Sequence, residues 1–344
     1  MKKYWFVMPF YNPHIAGIVP YLAKSYKLSI ITFEDNLRQG KDWKAIPADF
    51  HTVRIGGISG MLSIIRKMNR NDIIGFCGVL YSPRYFLFCL GASLKAKTIQ
   101  VFSEGFKNFR VRRSFLLSLM PWHKMSLFGI GSNSVADYHK HLLLSKPRKN
   151  YHDFAYPYDL EFPDLRESPR EYFSIFVGQL IQRKNVESFL DFAHSCIKVN
   201  SQLKFMIVGT GPNEIQLKQY CQELDLQGSV DWVGYTSRNE VLNLMSNANS
   251  LFLDSHYEGW GAVCLEATAC GTYLLLGKNV RSRSLLETDD IGHIFEKRYL
   301  DKPQPLLKKI QNLTIVNRTQ IQNHAKSYSS KSLSQIVFDD LRVL

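Results

Sequence analysis

The stretch His256-Tyr257-Glu258-Gly259-Trp260-Gly261-Ala262-Val263-Cys264-Leu265-Glu266-Ala267-Thr268-Ala269-Cys270-Gly271-Thr272 decides how the rest of the chain reads. It follows the apolar, strand-like run Ser250–Leu253 and passes into a helical pattern of small residues at Ala262–Ala269. Glycines where a strand turns into a helix let the backbone approach a ligand closely, and the free N–H groups of a first helical turn attract an anion. Glu258 stands on the loop, and Glu266 follows eight positions later inside the helix, between Leu265 and Ala267. Taken alone, an ordinary helix start with one solvated glutamate explains the segment equally well.

On both sides of this stretch, short β-rich runs alternate with amphipathic ones, the pattern of α/β proteins with mostly parallel sheets. The second half reads as strands at Tyr172–Val177, Leu203–Val208, Val230–Val233, Ser250–Leu253 and Thr272–Leu276, with helices at Val186–Lys198, Asn213–Leu224, Arg238–Ser246 and Ala262–Ala269. The first half reads as strands at Tyr4–Val7, Leu28–Thr32, Ile73–Phe76 and Lys97–Phe102, with helical runs at Ile15–Ser25 and Phe115–Leu119. Prolines and charges cluster between Lys146 and Pro169 with little periodicity, which puts a linker near residues 155–170. The expected organisation is an amino-terminal Rossmann-like domain over 1–160 and a second one over 170–318. A helical segment, 319–344, is expected to pack back towards the first domain.

Two further loops have the same strand-to-helix grammar. In Phe176-Val177-Gly178-Gln179-Leu180-Ile181-Gln182-Arg183-Lys184-Asn185-Val186, a strand ends in Gly178 and two adjacent cations precede a helix. Ligands of open parallel sheets bind outside the carboxyl ends of the strands, where Arg183 and Lys184 would suit a diphosphate. Two solvated surface cations are the plainer alternative. In Ile207-Val208-Gly209-Thr210-Gly211-Pro212 the third glycine of a dinucleotide fingerprint is replaced by Glu214, so a tight βα turn is favoured over a phosphate grip. The Val233-Gly234-Tyr235 turn is only suggestive. A dehydrogenase is disfavoured, because no complete Gly-x-Gly-x-x-Gly follows any strand.

In this order the segments resemble the carboxyl-terminal domain of retaining glycosyltransferases of family 4, strongly from about Phe173 to Phe295 and loosely before it. The resemblance implies a GT-B fold, with two doubly wound domains facing across a cleft and a nucleotide-sugar donor bound mainly by the second. It implies that Glu258 faces the donor sugar, that Glu266 meets the ribose hydroxyls and that Arg183 and Lys184 hold the diphosphate. Gly261 and its neighbour Trp260 would contact the donor, with Gly178, Gly209, Tyr235 and the amino-domain Gly17 beside it. Gln179, Asn185, Ala16 and Tyr273 depart from common family residues. Many members carry an acceptor-side histidine where this chain reads Val101-Phe102-Ser103-Glu104-Gly105-Phe106, so Glu104 either substitutes for it or caps a loop. No Asp-x-Asp motif occurs, and neither a catalytic metal nor another cofactor is expected. The expected activity is sugar transfer to a glycan or lipid-linked acceptor in surface polysaccharide or lipopolysaccharide synthesis. The alternative is a catalytically impaired sugar-nucleotide-binding partner subunit of the same fold.

The 344 residues carry 43 Lys and Arg against 30 Asp and Glu, a formal charge of +13, which points to an anionic partner. Much of the excess lies between Lys107 and Lys149, where Phe109, Phe115, Leu117, Leu119, Met120 and Trp122 interleave with Arg110, Arg112, Arg113 and Lys124. Such a segment suits an anionic leaflet or an acidic lipid-linked acceptor; core residues under a solvated basic face are the alternative. No recognisable nucleic-acid-binding module accompanies the charge, so nucleic acid is not an expected partner. The six cysteines form no Cys-x-x-Cys pair, which suits a reducing cytoplasm. The amino-terminal apolar run breaks at Pro9, and the stretch Tyr85–Leu94 is half a membrane span at best. A cytoplasmic protein, peripheral at the inner face of the membrane, is the expectation.

Overall fold

The structure, a computed structural model, describes residues 1–9, 15, 17–33, 51–104, 111–131, 134–142, 151–156, 160–165, 170–286 and 288–343. It divides into two units, Met1–Asp159 with Tyr328–Leu344, and Leu160–Ser327.

The first unit is built on seven strands: β1 (Lys3–Met8), β2 (Lys27–Thr32), β3 (Thr52–Arg54), β4 (Ile73–Cys77), β5 (Thr98–Glu104), β6 (Met125–Ile130) and β7 (Tyr151–Phe154). Their order is β3-β2-β1-β4-β5-β6-β7, and every neighbouring pair is parallel. A parallel sheet is covered on both faces, which is why β4 and β6 are buried at every residue. The apolar stretch at Tyr85–Leu94 belongs to the helix Pro83–Lys95, capped by Ser82, whose Tyr85, Phe88, Cys89 and Ala92 enter the core. Among the described residues no helix is long and apolar enough to cross a membrane.

The helix Ser330–Val343 completes this unit. Buried Gln100 on β5 accepts from the Tyr4 hydroxyl (2.8 Å), and its amide donates to Asp340 Oδ2 (2.8 Å) and the Val337 carbonyl (3.2 Å). His152 Nε2 lies 3.1 Å from the other Asp340 oxygen. The chain changes unit after Ser327 rather than at the 318/319 boundary expected from sequence. The helix Ile315–Ser327 runs through that boundary because its Arg318, Ile321 and Ala325 are buried in the second unit, where Gln322 also donates to the Pro163 and Ala269 carbonyls.

The second unit has six strands: β8 (Tyr172–Val177), β9 (Phe205–Val208), β10 (Val230–Gly234), β11 (Ala248–Leu253), β12 (Tyr273–Gly277) and β13 (Gly292–Phe295). They pair in parallel in the order β10-β9-β8-β11-β12-β13. Phe189, Phe192, Phe205, Phe252 and Phe295 interlock on one face. All six cysteines are free and buried. Both units are therefore doubly wound α/β folds. In the second, the winding reverses between β8 and β11, and a crevice at such a switch point is where ligands of open α/β sheets bind.

Candidate functional site

The loops leaving β8 and β11 meet at that switch point. Arg183 and Lys184 lie in a short 3-10 turn, Gln182–Lys184, and the facing loop runs from Asp254 to Gly261. The Arg183 carbonyl accepts from the His256 N–H (2.9 Å), and Arg183 Nη1 donates to the Tyr257 carbonyl (2.7 Å). Glu258 Oε2 accepts from Arg183 Nη1 (3.1 Å) and from Lys184 Nζ. Two cations against one carboxylate leave a net positive charge. Lys184 is only 9% exposed, so its charge is poorly screened by water.

The backbone explains why these residues converge. Asn185, at φ 52°, takes the left-handed conformation that ends the turn and starts the helix Val186–Ile197. Asparagine is one of the few residues that tolerate this conformation. The Asn185 amide donates to the Asp254 carbonyl (3.0 Å) and to Asp254 Oδ2 (3.3 Å), and Ser188 Oγ donates to the same Oδ2 (2.8 Å). Burial pushes the Asp254 carboxyl above its ordinary value, and the Ser188 hydrogen bond opposes it. Glu258 is fixed by a parallel bridge to Val280.

Gly261 caps the helix Ala262–Ala269 at φ 75°, and a Cβ there would lie 3.1 Å from Glu258 Cγ. Trp260 is 1% exposed, so its ring belongs to the core; among the described residues its indole N–H makes no hydrogen bond. Glu266, in the second turn of the same helix, accepts from Arg238 Nε at 3.0 Å, and Arg238 Nη1 also reaches Glu161 (3.1 Å). Arg238 opens the helix Arg238–Ser246 behind a Ser237 cap. Sequence reasoning missed Arg238, because only tertiary packing brings it to a partner 28 positions away.

The other glycines bring strand ends together. Gly209 N–H donates to the Gly234 carbonyl (2.8 Å), and a Cβ on Gly209 would sit 1.9 Å from the Gly178 carbonyl oxygen. This geometry fits the tight-turn reading of Gly209. Tyr235, just beyond β10, is 67% exposed.

In the first unit Glu104 ends β5, and the Tyr156 hydroxyl donates to its Oε1 at 2.5 Å. Gly17 lies in the turn before the helix Val19–Ser25; Ala16, Gly105 and Phe106 lie outside the described residues. So do Lys107, Phe109, Arg110, Lys146, Arg148 and Lys149 of the basic segment, and the side chains of Arg112 and Arg113. Of its apolar residues, Leu117, Met120 and Trp122 are core, whereas Phe115 is 55% and Leu119 43% exposed. Among the described residues, the apolar side chains of the segment are thus divided between core and surface. Among the described residues no three His, Cys, Asp or Glu side chains gather as a metal site.

Residues 158–326 match the family described as Glycosyl transferases group 1. A curated relative, the phosphatidylinositol N-acetylglucosaminyltransferase gpi3 subunit of Schizosaccharomyces pombe, is 26% identical over 117 residues, 34% of this chain and 26% of that protein. The matched stretch thus spans about a quarter of that relative. Among solved structures, Anabaena HepE in complex with UDP superposes with a TM-score of 0.75 at 15% identity, over 99% of this chain and 100% of that one. The apo lipopolysaccharide outer core galactosyltransferase WaaB superposes with a TM-score of 0.73 at 14% identity, over 99% of both chains. The fold is GT-B.

Proposed function

We propose that this chain, whose residues 158–326 match the group 1 glycosyltransferases and whose fold is GT-B, moves a sugar from a nucleoside-diphosphate donor to an acceptor hydroxyl with retention at the anomeric carbon. The observation that carries the reading is the cluster at the β8/β11 switch point, where Lys184 and Arg183 converge on Glu258 with a surplus of positive charge.

Negative charge builds on the donor's leaving phosphate as the bond to the anomeric carbon breaks. Lys184, Arg183 and the free N–H groups of the helix beginning at Ala262 stabilise that charge where it develops. The acceptor oxygen bonds to the anomeric carbon on the face the phosphate leaves, and its proton passes to the departing phosphate oxygen. Glu258, held by two cations, orients the sugar and is not the nucleophile. Glu266 takes the ribose hydroxyls, and Glu104 acts on the acceptor side. No step uses a metal.

The acceptor we favour is a glycan or lipid-linked saccharide of surface polysaccharide or lipopolysaccharide synthesis. The names of the gpi3 subunit and of WaaB support a lipid-borne acceptor. The same reading puts the chain in the cytoplasm, peripheral at an anionic inner leaflet that Phe115 and Leu119 touch. UDP, present in the HepE complex, is the first nucleotide to test. Thermal shifts with UDP, GDP, ADP and TDP identify the nucleotide, because a ligand of the native state alone raises stability. Transfer from the matching nucleotide sugars in EDTA then tests the chemistry. A nucleotide that binds without transfer to any acceptor would favour the partner-subunit alternative.

A further inference from the structure

The opposite edge of the same sheet holds a second concentration of positive charge. A cavity of about 490 Å³ is lined there by Arg170, Lys204, Asn249, Thr314, Arg318 and Glu171, among others. Arg170 stands two residues before β8, Lys204 one before β9, and Asn249 second in β11, so the cavity opens at the amino ends of the strands. The Glu258 cluster lies beyond their carboxyl ends, roughly 20 Å away at about 3.3 Å per residue.

Among the described residues, neither arginine has a charged partner. Arg318 is 7% exposed; its Nη2 donates to Asn249 Oδ1 (2.7 Å), and its buried Nη1 makes no hydrogen bond among the described residues. Among the described residues Arg170 donates to neutral oxygens: the carbonyls of Ala248 (2.5 Å), Cys270 (2.7 Å) and Met245 (3.5 Å), and Thr272 Oγ1 (2.9 Å). Among the described residues no carboxylate pairs with either guanidinium. A buried guanidinium keeps its charge, and leaving a donor unsatisfied is costly. Burial first, and then the Arg318 charge, pulls the Arg170 pKa down to about 9. The helix Ile315–Ser327 also begins at the cavity, behind a reciprocal Thr314–Asn317 cap.

From this geometry we propose that the cavity is an anion site, separate from the donor site, for a phosphate monoester of about sugar size. Arg170, Arg318 and Lys204 set against Glu171 leave two positive charges, which a phosphate dianion balances. The volume falls within the range of about 300–1,000 Å³ usual for small-molecule pockets, leaving room for an organic group beside the phosphate. The remaining walls mix amide and apolar side chains, as such a group requires.

The test is calorimetric titration of the full chain with glycerol 3-phosphate and with inorganic phosphate. It is run with the donor site saturated by UDP and repeated in Lys184→Ala. Saturable binding is expected in both backgrounds, tighter for the ester. Arg318→Gln should weaken it at least tenfold. Lys204→Ser, at an exposed position, should weaken it about threefold and serves if Arg318→Gln does not fold. Absence of saturable binding at millimolar ester, or unchanged affinity in the folded variants, would overturn the site. Inorganic phosphate binding as tightly as the ester would overturn the ester assignment.

Discussion

Arg238 Nε donates to Glu266 Oε1 at 3.0 Å, joining the first turn of one helix to the second turn of another. The residue expected to meet the ribose is therefore already hydrogen-bonded in this structure, and its carboxylate is held in one orientation. A second Arg238 nitrogen reaches Glu161 at 3.1 Å, so the arginine is itself held from two sides.

The consequence is an ordering of two variants. Glu266→Ala should weaken nucleotide binding by about 1.5–3 kcal/mol, the usual loss for a hydrogen bond to a charged group. Arg238→Ala leaves the carboxylate in place and should cost under about 1 kcal/mol, since the pair is partly exposed. Calorimetry with UDP checks both. A larger loss in Arg238→Ala would make the arginine, not the glutamate, the ligand contact.

Lys184→Ala should lower kcat by about 10²–10³, the scale for losing one preorganised donor from a developing anion. Affinity for free UDP should fall less than tenfold. Steady-state kinetics beside equilibrium binding separates the two effects, and unchanged turnover would reduce Lys184 to a partner of Glu258.

Gly261→Ala should lose about 1–2 kcal/mol of stability from the left-handed backbone alone, and its new methyl would press on Glu258 Cγ, 3.1 Å away. Urea denaturation measures the first effect and sugar transfer the second. A variant as stable as wild type would show that the cap relaxes freely.

Asp254 gives a pH test with a defined sign. Its folded pKa lies above the ordinary 3.8, so the folded state holds the proton more tightly than the unfolded chain does. The stability this confers is present below 3.8 and is lost as pH rises through the folded value. Wild type should therefore lose stability relative to Asp254→Asn as pH is raised across that window, by urea denaturation at successive pH values. A difference that does not change with pH would remove Asp254 as its source.

Phe115→Ser with Leu119→Ser should reduce co-sedimentation with vesicles containing acidic lipid and leave UDP binding unchanged, because both side chains lie in the first unit and stand exposed. Salt should weaken wild-type binding, since attraction to the leaflet decays within a Debye length of about 8 Å at physiological ionic strength. Wild type that ignores acidic vesicles at low salt would end the membrane reading.

The second unit was legible because its signals are local. Apolar strand runs ending in glycine and followed by helical periodicity fix Tyr172–Val177, Arg238–Ser246 and Ala262–Ala269 to the residue. In the first unit β6, buried at every position, offers no alternation to separate strand from helix. The short β7, Tyr-His-Asp-Phe, is mostly polar and is a strand because it pairs with β6. At the site, the residues on the two loops could be read from sequence, but their mutual ion pairing could not. Nor could the full burial of Trp260, which depends on packing from elements far away in the chain.

The first unit is discontinuous: its last helix, Ser330–Val343, is made only after the whole of Leu160–Ser327. At about 5–20 residues per second, the nascent first unit therefore waits roughly ten to thirty seconds on the ribosome. Through that interval Gln100 and His152 lack the Asp340 carboxylate that later engages them. The second unit can close in the meantime, so the order of completion during synthesis is the reverse of the order along the chain.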